Sequence, residues 1–196
     1  MSAAPLLLAS ASPRRRELLR RAGVDFEILP ADVDERVREG ETPLHYATRL
    51  AREKALAVAS RSGAEPPRYV LGADTVVVHA DRIYGKPADP EDAVRILGEL
   101  LGHTHRVLTA VALARSDGAS LREVCVESRV SLRAASVPEI RAYVAGGEPL
   151  DKAGAYALQG EGARFVVGVE GSRSNVIGLP LDETLALLRE AGIHVR

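Results

Sequence analysis

The chain has 196 residues, 46% hydrophobic and 27% charged, with 26 Lys and Arg against 27 Asp and Glu. That length supports one sizeable core or two small lobes sharing one, and the near-balanced charge gives no global reason to expect a nucleic-acid partner or a charged membrane surface. No apolar run reaches the roughly 20 residues of a membrane span, Met1–Leu8 is too short and too poor in basic residues for a signal peptide, and the single Cys125 excludes an intramolecular disulfide.

In chain order, Leu6–Ala9 reads as a short buried strand. Ser12 caps a helix with Pro13 at its first position, running to about Ala22 and stopped by Gly23. Phe26–Leu29 is a second strand, followed by the acidic loop Asp32–Glu35. Thr42-Pro43 opens a long helix to about Arg61 that ends at Gly63. Tyr69–His79 is an apolar strand, and Arg82–Tyr84 a short one after a turn. Asp89-Pro90 opens a helix through Leu101. Two β-branched runs, Thr104–Ala114 and Leu121–Leu132, flank Ser116–Gly118 as a hairpin. Cys125 falls inside the second run, where a buried structural thiol is expected. Ser136 starts a helix over Val137–Val144, Phe165–Val169 is a strand, and Pro180–Ala191 is a final amphipathic helix. The interleaving predicts a mixed α/β fold: a twisted sheet with flanking helices, as one domain over residues 1–196 in two lobes with a cleft.

Several residues are poorly placed for stability alone. Arg14, Arg15 and Arg16 occupy the first turn of a helix, at the positive end of its dipole, where acids are favoured. Following the small-residue turn that contains Ser10, they make a candidate phosphate site. Of the 26 basic residues 23 are Arg; only Lys54, Lys86 and Lys152 are Lys. In a background so biased to Arg, each remaining Lys is a candidate for a role needing a compact ammonium. Lys54 falls on the apolar stripe of its helix with Ala47, Leu50, Ala51 and Val58. Asp74 interrupts a strand, where Asp is disfavoured and rarely buried without a partner; a rigidly held acid suits metal binding or proton transfer from water. Lys86 projects from Tyr84-Gly-Lys-Pro87, and Asp151–Gly160 gathers Lys152 and Gln159 between glycines, where an amide can read a base edge.

Other chemistries are disfavoured. There is no G-x-x-x-x-G-K-[ST] loop and no G-x-S-x-G elbow. Gly160-x-Gly162 follows no Rossmann pattern. His103 and His105 share one strand face, and a solvated pair is expected rather than a metal site.

The segments Leu8–Arg15, Arg52–Ala55, Gly72–Thr75, Gly85–Pro87, Asp151–Tyr156 with Gln159-Gly160, Gly171-Ser172 and Asn175–Pro180 together resemble the Maf family of nucleoside-triphosphate pyrophosphatases over nearly the whole chain. The resemblance implies a fold similar to inosine triphosphate pyrophosphatase, with a nucleotide cleft between two lobes. It also implies hydrolysis of a nucleoside triphosphate to monophosphate and pyrophosphate with Mg²⁺ or Mn²⁺. The Asp151–Tyr156 stretch with Gln159 is similar to the branch acting on dTTP and UTP; the alternatives are 7-methyl-GTP or modified nucleotides, or nucleotide binding in regulation of cell division. Arg173 departs from the aromatic residue of many relatives. The resemblance makes Asp74 the proton acceptor and has Arg14, Thr75 and Gln159 set base specificity. Asp74 and Glu35 are then the candidate metal ligands, and Ser10, Arg14, Arg15, Lys54, Thr75, Lys86, Lys152 and Gln159 the candidate substrate contacts. The expected partner is the nucleotide, with no nucleic acid or membrane, in the cytoplasm; the resemblance is also compatible with a homodimer.

Overall fold

The computed structural model describes residues 6–63 and 66–195. Strand β1 (Leu6–Leu8) leads into helix α1 (Pro13–Arg21). Ser12 sits in extended backbone and its hydroxyl accepts from the Arg15 amide, while Pro13 fills the first helical position, where no donor is missed. Gly23, at φ +71°, turns the chain out of α1 into β2 (Phe26–Ile28). Helix α2 (Pro43–Arg61) starts on a Thr42 cap and buries Ala47, Leu50, Ala51, Lys54, Ala55, Val58 and Ala59. Then come β3 (Tyr69–His79), β4 (Arg82–Tyr84), α3 (Pro90–Leu100), β5 (Thr104–Arg115), β6 (Leu121–Leu132) and α4 (Val137–Ala145). Three 3₁₀ turns, Glu148–Asp151, Ala153–Ala155 and Glu161–Phe165, precede β7 (Val166–Glu170), α5 (Arg173–Ile177) and α6 (Leu181–Glu190).

The sheet has seven strands in the order β2-β1-β3-β5-β6-β7, with β4 paired to β3. β1 is parallel to both β2 and β3, whereas β4 and β7 run antiparallel to β3 and β6. This is the mixed α/β sheet with flanking helices that the alternation of elements predicts. Among the described residues no helix is long and apolar enough to cross a membrane.

By internal contacts the chain groups into two compact units. The first holds the described residues up to Asp74, Thr109–Val126 and those from Gly178 onward. Its core gathers Leu6, Leu8, Leu19, Leu71, Val111, Leu113, Leu179 and Leu188, each worth roughly 1.5–3 kcal/mol of burial. Here β3 lies directly against α2 at Gly72. A Cβ at that position would collide with the Ala51 carbonyl and come within 2.7 Å of the Ala55 nitrogen, so only glycine permits the approach.

The second unit holds Thr75–Leu108 and Glu127–Ile177. Val77, Ile96, Leu97, Leu100, Tyr143 and Phe165 lie in its core, where the Tyr143 and Phe165 rings meet edge to face at 5.3 Å. Phe165, expected to open a strand, instead closes the last 3₁₀ turn and is fully buried; its carbonyl accepts from the Arg133 amide at 2.8 Å. Helix α5 is also absent from the sequence reading. One turn long, it has no periodicity to read, and Ser172 begins it by accepting from the Asn175 amide. Cys125 is half-buried, not buried as expected, on a β6 stretch whose residues Glu123–Val126 are all only partly covered.

Candidate active site

Within the first unit, α2 and β3 place one lysine between two carboxylates. Strand residues two apart share a face, so Gly72, which touches α2, brings Asp74 to the same helix. Lys54 occupies the helix's buried stripe beside Ala55, as its spacing predicts. Its Nζ lies 2.6 Å from Asp74 Oδ1 and 2.6 Å from Glu35 Oε1. Lys54 is 9% exposed and Asp74 8%, whereas the Glu35 side chain is 54% exposed. Burial pushes the Asp74 carboxyl above its ordinary range, and the Glu35 charge adds to that rise; Lys54 and Arg15 oppose it without reversing it. The result is a paired carboxylate with increased basicity.

The start of α1 supplies the guanidiniums. Arg15 Nε donates to the Gly178 carbonyl at 2.8 Å and Nη1 to the Ser10 hydroxyl at 3.1 Å. The same hydroxyl accepts from the Ser12 amide at 3.2 Å. Arg16 Nη2 donates to the Ala11 carbonyl at 2.7 Å. The helix-start arginines are thus partly offset by the chain's own carbonyls, an arrangement the sequence did not reveal. Burial lowers the Arg15 pKa, Asp74 and Glu35 raise it, and the neighbouring Arg14 charge lowers it further. Ser10, Arg15, Glu35, Lys54 and Asp74 therefore form one electrostatic group, with Arg14 at its margin.

Two contributors went unread in the sequence. The Tyr46 hydroxyl donates to the Glu35 carbonyl at 2.7 Å, and Arg49 reaches the Arg36 carbonyl. No periodic signal marks them: on the helix wheel Tyr46 stands about 80° and Arg49 about 140° from Lys54, and their partners here are backbone carbonyls. The Tyr46 phenol is pushed up to about 12, first by burial and then by the charges of Asp74 and Glu35.

Thr75, Lys86, Lys152 and Gln159 belong to the second unit. Thr75 is half-buried, and Lys86 and Gln159 are exposed. Lys152 donates to the Glu148 carbonyl and to Asp151 Oδ1, both at 2.6 Å. The Gly154 amide donates to the Gly85 carbonyl at 3.1 Å, which ties the Lys152 turn to the Lys86 loop. His103 and His105 are not a solvated pair: His105 is buried with Nε2 on the Tyr156 hydroxyl at 2.8 Å, while His103 is exposed with its ring 5.1 Å from that of His79.

A carboxyl of raised pKa beside clustered ammonium and guanidinium groups is chemistry suited to a polyanion. The chain matches the description "Maf-like protein" over residues 5–191, and it belongs to that family. It is 53% identical over 188 residues to a dTTP/UTP pyrophosphatase of Myxococcus xanthus, covering 96% of this chain and 93% of that protein. It is 49% identical over 190 residues to a dTTP/UTP pyrophosphatase of Hahella chejuensis, covering 97% and 94%. A solved nucleoside-triphosphatase / dITP/XTP pyrophosphatase of Mycobacterium abscessus aligns over 96% of this chain and 95% of its own. The identity there is 14% and the TM-score 0.41, a likeness that carries no conclusion about this chain.

Proposed function

We propose that the chain hydrolyses dTTP and UTP to the monophosphate and pyrophosphate with a divalent cation, and so clears these nucleotides from the pool. The supporting observation is the buried Lys54 ammonium held by Asp74 and Glu35 at 2.6 Å each, in a family whose relatives carry that activity in their names. Water attacks the α-phosphorus, the bond to the bridging oxygen breaks, and pyrophosphate leaves. The proton passes to Asp74, whose Oδ1 is taken by Lys54, so Oδ2 receives it. Burial makes Asp74 a better base than an exposed carboxylate, and Lys54 keeps it ionised until the proton arrives. Arg14, Arg15 and Lys54 balance charge on the phosphate chain. By the family motifs, Lys86 and Lys152 bind the substrate as well, and Thr75 and Gln159 recognise the pyrimidine.

Among the described residues no three His, Cys, Asp or Glu gather as a metal cage. Asp74 and Glu35 nevertheless fit Mg²⁺ or Mn²⁺, because such an ion commonly takes one or two carboxylates and completes its shell with phosphate oxygens and water; with Oδ1 on Lys54, Asp74 would serve through Oδ2 either as ligand or as proton acceptor, not as both at once. When bound, the ion supplies charge neutralisation at the phosphates. A pyrophosphate-release assay over dTTP, UTP, the other common triphosphates and 7-methyl-GTP, with Mg²⁺, Mn²⁺ or chelator, tests the proposal. Turnover of dTTP and UTP that stops with chelator is expected. Equal rates on all nucleotides would remove the pyrimidine assignment, and no turnover at all would favour a nucleotide-binding regulator.

A further inference from the structure

A second network on α2 faces the acidic loop, and the hydrolysis proposed above makes no direct use of it. Tyr46 donates to the Glu35 carbonyl, and Arg49 Nη2 donates to the next carbonyl, Arg36, at 3.1 Å. Arg49 is itself fixed. Its Nε and Nη2 grip the two Glu41 oxygens at 2.6 and 2.8 Å, and Nη1 meets Glu53 at 3.2 Å. The Arg49 and Glu41 side chains are only 12% and 8% exposed. The guanidinium also lies 5.5 Å from the centre of the Tyr46 ring. Arg38 closes the loop from the other side, with its amide on Glu41 and its guanidinium on Glu53.

At 100° per residue, positions 46, 49, 53 and 54 fall within an arc of about 140°. One side of α2 therefore holds both the backbone of the loop, through Tyr46 and Arg49, and its carboxylate, through Lys54. We propose that Tyr46 and Arg49 are positioning residues that clamp the Glu35-Arg36 backbone to α2, so that the Glu35 carboxylate stays on Lys54 beside Asp74. A bidentate, largely buried Arg–Glu pair is rigid enough to serve as the anchor. The bond from Tyr46 falls on the carbonyl of Glu35 itself, which a device for loop stability alone would not require. The kinetic part of this inference rests on the proposed pyrophosphatase activity; the structural part does not.

Tyr46→Phe keeps the ring and its stack on Arg49 and removes one donor. The expected result is a kcat for dTTP about tenfold lower, a KM within about twofold of wild type, and backbone amides of residues 35–38 exchanging about tenfold faster. Adding Arg49→Lys, whose single ammonium cannot serve Glu41 and the Arg36 carbonyl together, should lower kcat about a further tenfold. In both variants the core-facing amides of α2 and β3 should exchange as in wild type. Unchanged kcat with a loosened loop would overturn the inference, as would lost kcat with an unchanged loop or exchange raised across α2 and β3 alike. If the wild type releases no pyrophosphate from dTTP or UTP, the proposed function fails by itself, and loop exchange alone decides the clamp.

Discussion

The two units hold their polar groups by different means. In the first, Lys54 and Asp74 stand on a 19-residue helix and an 11-residue strand, and their positions follow from the packing of those elements across Gly72. In the second, Lys152 and Gln159 stand on or beside 3₁₀ turns with Gly147, Gly154 and Gly160 at positive φ. There the buttress is a single carboxylate. Glu148 accepts from the Tyr143 hydroxyl and from the Glu161 and Gly162 amides, all at 2.9 Å. Regular elements fix a side chain through many small apolar contacts, whereas irregular turns depend on a few hydrogen bonds that each satisfy a backbone donor. The placement of Lys54 and Asp74 by α2 and β3 is robust to any one polar loss, and the turns around Glu148 are not.

The sharpest way to break that comparison lies in the first unit. Asp74→Asn should lower turnover about 10³-fold while circular dichroism and thermal midpoint stay near wild type, because Asn fits the same slot with no charge to bury. A cooperative loss of folding would show that the Lys54–Asp74 pair holds the unit together.

Acid should then weaken the second unit selectively. Burial, with the nearby His79 charge, depresses the His105 pKa to about 4, so the folded state prefers neutral imidazole while the unfolded chain titrates near 6.5. The stability His105 contributes is therefore complete above about pH 6.5 and is lost as pH falls towards 4, by up to about 3 kcal/mol. Urea unfolding across that window should show the fall, and His105→Phe should flatten it; parallel curves would remove His105 as the cause.

Gly72→Ala probes the helix–strand approach. The added methyl meets backbone rather than a flexible side chain, so a loss of about 2–3 kcal/mol is expected, together with reduced turnover as Lys54 and Asp74 separate. An unchanged urea midpoint would mean that the contact gives way cheaply. The smallest effect should come from Glu148→Gln, about 1–2 kcal/mol, with faster amide exchange at 160–163 and none at 50–58. Equal exchange at both sites would deny the two units their separate modes of support.

Legibility in the sequence follows the same division. Lys54 was readable because a helix has a period and a charged residue on the apolar stripe violates it; Asp74 was readable because a strand rarely carries an acid. The ends of α1, α2 and α3 were readable from Ser12, Thr42 and Asp89, whose caps act within three residues. Nothing comparable marks the Glu148 buttress, the Arg15 bond to the Gly178 carbonyl or the Tyr46 bond to the Glu35 carbonyl. Each joins a side chain to backbone that only tertiary folding brings near, and a backbone amide or carbonyl has no letter in the sequence. His105 was misjudged for the same reason: Tyr156, 51 positions away, decides its burial.

The three lysines also grade the molecule as a chemical target. An amine-directed acylating reagent meets exposed Lys86 first, then Lys152, engaged with Glu148 and Asp151, and last Lys54, buried under two carboxylates. In a chain where 23 other basic residues are inert to such a reagent, a mass spectrum resolves three labelling rates. Slowing of any one by added nucleotide reports contact at a single known position, without a crystal and without turnover.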